Sequence, residues 1–171
     1  MNLENKILTI TVPSYNTEKY IDECMPYLIN DSIIDDIEIL VVSDGSKDNP
    51  VSVAGKWEKK YPQSIRVIEK ENGGHGSTIN RGIAEARGKY FKVIDGDDWV
   101  KTDNLVQLVS FLKTADVDII NNPYFEHDEV TKDETMMMTL DIKSNQINDY
   151  AEIEKKIKIP PMHTVTYKTS I

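Results

Sequence analysis

The sequence predicts an α/β fold in which helices flank a mostly parallel β-sheet. The first supporting observation is a series of apolar, β-branched runs at regular intervals, at 7–12, 37–42, 65–68, 90–94 and 117–120. These runs are continuous rather than alternating, which is typical of strands covered on both faces. Segments with helical signals separate successive runs. Because strand and helix alternate, we expect right-handed βαβ units.

The first predicted helix covers residues 17–30. Its apolar side chains recur at the i, i+3, i+4, i+7 spacing of one helix face: Ile21, Cys24, Met25 and Leu28. Asn16 or Thr17 can cap the N-terminus of this helix. Pro26 lies inside the segment and is expected to kink or shorten the helix.

Two further helices have clear sequence signals. Asn49 followed by Pro50 is a start signal for a helix over 50–61, and Pro62 ends it. A later helix is predicted over 103–113. Its apolar face is formed by Leu105, Leu108, Val109 and Leu112.

The remaining helix, predicted over 77–87, begins within a glycine-rich stretch, ENGGHGSTINRG (71–82). Three residues are expected to form its apolar face: Ile79, Ile83 and Ala86. Gly88 fits the C′ position after the helix end. The backbone N–H groups of this stretch and the helix N-terminus can face a phosphate group. The glycine spacing matches neither the dinucleotide fingerprint nor a P-loop.

We expect one domain over residues 1–171, with the βαβ core in 1–122. The pattern changes over 123–171. This part is expected to hold a short hairpin or excursion, a short amphipathic helix with Ile153 and Ile157 on one side, and a strand in MHTVTYKTSI.

Composition narrows the possible partners and location. The formal net charge is -9, from 20 Lys and Arg against 29 Asp and Glu, which argues against nucleic acid as a partner. Cys24 is the single cysteine, so an intrachain disulfide and a cysteine zinc site are excluded, and a cytoplasmic location is expected. No window approaches the roughly 18 apolar residues of a membrane span, and the N-terminus does not resemble a signal peptide.

Three polar clusters directly follow predicted strands: PSYN (13–16), SDGSKDN (43–49) and DGDD (95–98). Because ligands bind at the carboxyl ends of parallel strands, we expect these clusters to form one site. In the third cluster, Asp95, Asp97 and Asp98 crowd like charges, which a divalent cation would neutralise. A solvated Asp-Gly turn before the next helix is the alternative interpretation.

The other two clusters also have both a binding and a structural interpretation. Asp44 can accept hydrogen bonds from a base N–H or from ribose hydroxyls, or it can act as a local cap in a strand-to-helix turn. Pro13 ends the first strand. Tyr15 can stack on a base at the sheet edge or pack against the protein.

Taken in order, these stretches resemble the family 2 glycosyltransferases, whose nucleotide-binding domain has the GT-A fold. The similar stretches are VPSYN, VVSDGSKDN, NGGHGSTINRGIAEARGKY and IDGDDW, the last in the place of the DxD motif. The resemblance covers about residues 5–115, with weaker similarity to the end. It implies transfer of a sugar from a nucleotide-sugar donor, such as a UDP-sugar, to a glycan or lipid acceptor. It also implies Mn²⁺ or Mg²⁺ as cofactor and a role in cell-wall or polysaccharide biosynthesis.

The resemblance further implies a set of residues that bind the nucleotide sugar: Pro13, Tyr15, Asp44, Gly76, Asp95 and Asp98. Within this site, Pro13 and Tyr15 border the base and Asp44 hydrogen-bonds it. Asp95 and Asp97 of the DxD motif serve the metal ion and the diphosphate, with Asp98 close by.

The sequence also departs from the family pattern. His75 and Ile79 occupy positions where many members carry a Lys or Arg, and Arg81 is displaced. The catalytic base of the family is a carboxylate that we expect beyond Ile171, so the catalytic residue stays unassigned. Two alternatives remain: a sugar-nucleotide-binding module without catalysis, and a sugar-phosphate nucleotidyltransferase. The latter class opens with a glycine-rich basic loop, whereas PSYNTEKY follows the first strand here.

Overall fold

The computed structural model describes residues 6–128, 130–137, 146–148 and 160–171. Within these ranges the helices are Glu18–Leu28 (α1), Pro50–Lys60 (α2), His75–Glu85 (α3) and Thr102–Leu112 (α4). The strands are Lys6–Ser14 (β1), Ile37–Asp44 (β2), Ile65–Lys70 (β3), Gly88–Val93 (β4), Ile119–Asn121 (β5), Tyr124–His127 (β6), Glu134–Met137 (β7) and Val165–Lys168 (β8).

Six strands form one sheet in the order β3-β2-β1-β4-β8-β5. The first four are mutually parallel, whereas β8 is antiparallel to both of its neighbours. The predicted α/β architecture with a mostly parallel sheet is confirmed. The insertion of β8 between β4 and β5 joins strands that are far apart in sequence, and no local pattern specifies it.

The two central strands explain why the apolar runs are continuous. Nearly every residue of β1 and β2 is buried, because helices cover both faces of the sheet. As predicted, α1 buries Ile21, Cys24, Met25 and Leu28, and α4 buries Leu105, Val109 and Leu112 with Leu108 half-buried. Pro26 lies in the last turn of α1, which ends at Leu28 and is therefore shorter than predicted.

Helix α3 presents a different face to the sheet from the one predicted. Thr78 and Gly82 are its buried residues, whereas Ile83 is 47% exposed. A Cβ atom at Gly82 would overlap the side chain of Thr11 on β1. The apolar face predicted from Ile79, Ile83 and Ala86 is therefore wrong, because a close approach of helix to sheet selects the smallest residue rather than the most apolar ones.

Gly88 does not occupy the predicted C′ position. The helix ends with Ala86 in an extended conformation, and Gly88 is the first residue of β4. A Cβ atom at Gly88 would overlap the backbone of Thr9 in the adjacent strand β1. Close packing of two backbones, rather than a left-handed helix cap, requires glycine here.

A network of ion pairs joins α3 to the amino-terminal end of the sheet. The Glu38 carboxylate, on β2, accepts hydrogen bonds from Thr9 Oγ1 at 2.9 Å and from Arg66 Nε at 3.0 Å. Arg66 Nη1 also contacts Glu85 Oε2 of α3 at 3.2 Å, and Arg81 Nη2 contacts Glu85 Oε1 at 2.9 Å. Hydrogen bonds from Arg81 and Arg66 hold the pKa of Glu85 below its usual value.

The C-terminal part contains the predicted hairpin and the predicted strand. Strands β6 and β7 pair antiparallel, with Phe125 opposite Met136, and β8 lies in MHTVTYKTSI. The predicted amphipathic helix with Ile153 and Ile157 lies outside the described residues. None of the helices in the described ranges has the length and apolar character needed to cross a lipid bilayer.

Candidate functional site

The carboxyl ends of β1, β2 and β4 open into one cleft of about 590 Å³. Its lining comes from the three polar clusters and the glycine-rich stretch: Pro13, Ser14, Tyr15, Thr17, Asp44, Asn72, Gly74, His75, Thr78, Asp95, Gly96 and Asp97. Five residues of the predicted site are among them. The other two, Gly76 and Asp98, follow His75 and Asp97 in the chain and lie beside the lining.

The loops after β1 and β2 are joined to each other at the edge of the cleft. Four hydrogen bonds of 2.9 to 3.2 Å connect them: Asn16 N–H to Ser46 Oγ, Lys47 N–H to Asn16 Oδ1, Glu18 N–H to Asp48 Oδ2, and Asn49 N–H to Glu18 Oε2. Asn16 adopts a φ of 56°, which asparagine tolerates better than most residues. Most polar side chains of SDGSKDN therefore support the backbone, in agreement with the structural interpretation of this stretch, but their partners in the loop after β1 were not predicted.

The same loops contain the N-cap residues of α1 and α2. Asn49 caps α2 as predicted, since its side chain accepts a hydrogen bond from Ser52 N–H. Thr17 is the N-cap residue of α1 but makes no side-chain cap bond, and its hydroxyl instead hydrogen-bonds to that of Ser14. Asp48 satisfies the first turn of α1 from the neighbouring loop. Tyr15, which is 46% exposed, lines the cleft beside these loops.

Asp44 is the most fully bonded carboxylate in the cleft. Only 3% of the residue is exposed. Its Oδ1 accepts hydrogen bonds from Lys70 Nζ and from Gly73 N–H at 2.9 Å, and its Oδ2 accepts one from Gly74 N–H at 2.8 Å. Burial alone would raise the pKa of Asp44, but these three hydrogen bonds outweigh it, so the pKa lies below its usual value.

The glycine-rich loop is thus anchored to the end of β2. Asn72 Nδ2 donates to the Asp44 carbonyl at 2.9 Å, and Gly45, with a φ of 64°, leaves room for Asn72. The N–H groups of Gly73 and Gly74 point at Asp44 rather than at a ligand. The sequence prediction that this stretch directs its N–H groups at phosphate is therefore not met at these two glycines. Lys70, which completes this network, was not predicted.

The acidic loop after β4 differs sharply from this. Asp95 Oδ1 lies 2.8 Å from His75 Nε2 at the start of α3. No residue in the described ranges forms a side-chain hydrogen bond or an ion pair with the carboxylate of Asp97 or Asp98. Gly96 is buried, and a Cβ atom there would lie 3.1 Å from the Pro13 carbonyl oxygen, so a larger residue would crowd the β1 loop.

The electrostatics of this loop reflect its unpaired charges. Although Asp98 is solvent-exposed as a residue, desolvation of its carboxyl raises its pKa; the charge of His163 opposes this shift, and the charges of Asp95 and Asp97 add to it. Burial, followed by the charges of Asp98 and Asp97, also raises the pKa of Cys24 to about 12. The Cys24 thiol therefore stays protonated at neutral pH and is excluded as a nucleophile.

The donor set suits a hard divalent cation that completes its coordination with a ligand. Among the residues that the structure describes, no three His, Cys, Asp or Glu side chains form a group able to hold a metal ion. Asp95 and Asp97 nevertheless both line the cleft and supply carboxylate oxygens. Mg²⁺ is commonly bound through one or two carboxylates, with phosphate oxygens and water in the other positions, so these residues fit such an ion.

The sequence of this chain matches a known protein family and relatives of related sequence. The model of the family described as Glycosyl transferase family 2 matches residues 9–169. The chain is 31% identical over 152 residues to the uncharacterized glycosyltransferase EpsJ of Bacillus subtilis (strain 168), covering 89% of this chain and 43% of that protein. The chain therefore spans less than half the length of this relative.

Solved structures extend the comparison to the fold. S. aureus TarS 1-349 has a TM-score of 0.73 at 22% identity, covering 96% of this chain and 47% of that one, and TarS has also been solved in complex with UDP-GlcNAc. The mannosyltransferase PcManGT from Pyrobaculum calidifontis, in complex with GDP-Man and Mn²⁺, has a TM-score of 0.58 at 26% identity, covering 67% and 34% of the two chains.

Proposed function

Because this chain belongs to glycosyl transferase family 2 and has the GT-A fold, we propose that its cleft binds the nucleotide-sugar donor of a glycosyltransferase. The observation that carries the proposal is the contrast inside the cleft: three hydrogen bonds hold the carboxylate of Asp44, whereas that of Asp97 has no hydrogen-bond or ion-pair partner among the described residues. A nucleotide sugar offers both a base that can hydrogen-bond and a diphosphate that can share a cation. The donor complexes of TarS and PcManGT support this donor class.

The base binds at the β1 and β2 side of the cleft. Tyr15 offers an exposed ring on which a base can stack, and Pro13 shapes the floor beside it. Asp44 accepts a hydrogen bond from a base N–H or a ribose hydroxyl. A uracil ring carries one such imide N–H, and we therefore propose a UDP-sugar as the donor.

The diphosphate binds between α3 and the acidic loop. Asp95 and Asp97 would hold Mn²⁺ or Mg²⁺, which when bound neutralises the charge that develops on the leaving nucleoside diphosphate. Gly76, in the first turn of α3, places its backbone N–H at the helix N-terminus, where an anion is favoured. Asp98 extends the acidic loop toward the sugar.

Among the described residues that line the cleft, no carboxylate remains for the catalytic base. Asp44 is bonded to the glycine-rich loop, and Asp95 and Asp97 are assigned to the cation. An inverting transfer needs a base that removes the proton of the acceptor hydroxyl. We therefore propose that the base and most of the acceptor site lie beyond Ile171, and that the acceptor is a glycan or lipid of cell-wall or polysaccharide biosynthesis.

The donor proposal is tested by calorimetric titration of UDP into the chain with Mn²⁺, with Mg²⁺ or with a chelator. We expect at least about 10-fold tighter binding with either metal, equal to about 1.4 kcal/mol. Asp97→Asn should remove most of this difference, whereas the matched control Asp103→Asn, on the exposed side of α4, should retain it. Equal affinity with metal and with chelator would refute the cation part of the proposal, and no UDP binding would refute the donor part.

A further inference from the structure

Lys70 is not among the residues that line the cleft, but its ammonium group bonds to Asp44, which is. Lys70 ends β3, and its side chain is 18% exposed. Its Nζ donates to Asp44 Oδ1, to the Glu71 carbonyl at 2.6 Å and to Ser77 Oγ at 2.8 Å. A lysine ammonium has three N–H donors, so these bonds use all of them. Lys70 therefore has no donor left for a phosphate group.

The two oxygens of Asp44 are consequently unequal. Oδ1 accepts from Lys70 and from Gly73 N–H and lies 3.4 Å from Ser77 Oγ. Oδ2 accepts one hydrogen bond from the described residues, that of Gly74 N–H. Because each carboxylate oxygen has about two acceptor positions, Oδ1 is saturated and Oδ2 keeps one position open.

We propose that Lys70 is a positioning residue for donor binding, which turns the Asp44 carboxylate so that Oδ2 receives the N–H or O–H of the nucleoside. The same ammonium group fixes Ser77 and, through Asp44, the glycine pair Gly73–Gly74. Lys70 therefore positions both the hydrogen-bond acceptor Oδ2 and the adjacent wall of the cleft. This inference rests on the proposed donor function.

The location of Lys70 separates this role from general support of the fold. Its ammonium lies beyond the end of β3 and contacts the glycine-rich loop and Asp44 rather than the apolar core. Asp44 is only 3% exposed, and removal of Lys70 would take away the only charged hydrogen-bond partner of its carboxylate among the described residues, which is costly for a buried charge. We expect the carboxylate to reorient toward water, which would release the loop while leaving the sheet intact.

The first test compares Lys70→Met with Lys70→Arg, and uses Lys59→Met, an exposed lysine of α2, as the matched control. UDP affinity in the presence of Mn²⁺ should fall about 10-fold or more in Lys70→Met, the loss expected for a hydrogen bond to a charged group. Lys70→Arg should recover part of it, and the control should match the wild-type chain. Affinity for Mn²⁺ alone, measured by electron paramagnetic resonance, should stay unchanged in all three variants.

Wild-type UDP affinity in Lys70→Met would overturn the proposal. An equal loss of Mn²⁺ affinity would also overturn it, because such a loss indicates general disruption.

A second measurement needs no nucleotide. Amide hydrogen exchange of the free chain, read by NMR, should show Gly73 and Gly74 protected in the wild type and exchanging at least about 10-fold faster in Lys70→Met. Unchanged exchange in Lys70→Met would overturn the positioning role even if this variant binds UDP more weakly. If the wild-type chain binds no UDP, the donor proposal fails, and this exchange measurement alone decides whether Lys70 fixes the loop.

Discussion

Two clusters of carboxylates lie at opposite ends of the same sheet and have opposite surroundings. At the amino-terminal end, Glu38 and Glu85 are bonded to arginines, and Glu38 is only 3% exposed. At the carboxyl-terminal end, Asp95 contacts a histidine, and Asp97 has no hydrogen-bond or ion-pair partner for its carboxylate among the described residues. The paired carboxylates hold α3 on the sheet, whereas the unpaired ones leave negative charge available to a ligand.

The difference teaches how to separate structural acids from binding acids in this chain. A buried charge is tolerated when a fixed partner compensates it, and such a pair is costly to break. Unpaired, crowded carboxylates are tolerated at a cleft where water or a cation can reach them. Asp44 lies between these cases, because it is compensated by Lys70 and yet lines the cleft.

The largest expected effect concerns sugar transfer. If the acidic loop holds a cation and the base lies outside residues 1–171, as proposed, this chain should bind donor but transfer sugar about 10² to 10⁴ times more slowly than an enzyme whose base is in place. Donor hydrolysis by water can persist, because it needs no bound acceptor. The measurement supplies UDP-sugars and a panel of glycan and lipid acceptors to the 171-residue chain and quantifies product.

Robust transfer would contradict the assignment of the acidic loop to cation binding alone, since one carboxylate of the chain would then have to act as the base. The search would begin with Asp98, which is next to the cleft, and continue through the acidic stretch from Glu126 to Glu134. Each of these acids would be replaced by its amide in turn, and the Asp103→Asn control would show whether a loss of transfer is specific to the replaced position.

The next effect is on stability. Glu38→Ala removes the carboxylate that pairs with the partly buried Arg66, and loss of one partner of such a pair typically costs about 3 kcal/mol or more. We expect the free energy of unfolding in urea to fall by about that amount. UDP affinity measured well below the melting temperature should remain close to that of the wild type, because Glu38 is at the other end of the sheet.

Asp103→Ala on exposed α4 serves as the control and should change the unfolding free energy by less than about 0.5 kcal/mol. A stable Glu38→Ala chain with weakened UDP binding would contradict the division between structural and binding acids. It would instead indicate that the ion pairs of α3 act on the cleft through the helix.

Much of the fold was predictable because local patterns carry it. Continuous apolar runs identified β1 to β4, and the i, i+3, i+4 spacing identified the buried face of α1. The same reasoning failed for α3, where Thr78 and Gly82 face the sheet. Apolar periodicity assumes that the largest side chains are buried, and it gives no signal where two backbones must approach closely.

The candidate site was predictable in position but not in its internal bonds. The three polar clusters were expected at one edge of the sheet because each follows a strand, and the cleft contains residues of all three. The bond between Lys70 and Asp44 and the four hydrogen bonds between the loops after β1 and β2 join residues 26 to 31 positions apart. Such partners depend on which strands become neighbours, which no single stretch of sequence states.

The smallest effect is a pH dependence that distinguishes the two kinds of acid. The folded-state pKa of Asp98 is raised, by desolvation first and then by its acidic neighbours, so the chain gains stability when Asp98 is protonated. That contribution is fully present below the unfolded aspartate pKa of about 3.9 and is lost as pH rises through the folded-state value. The pH dependence of the Glu85 contribution has the opposite sign, because the pKa of Glu85 is lowered and its contribution to stability is lost as pH falls.

Melting temperatures should therefore show Asp98→Asn to be more stable than the wild type at pH 7, with the advantage shrinking toward pH 4. Glu85→Gln should be less stable at pH 7, and its deficit should shrink at acid pH. A stabilisation by Asp98→Asn that does not change with pH would show that its charge is already relieved in the folded chain, and the acidic loop would then no longer be an uncompensated cluster.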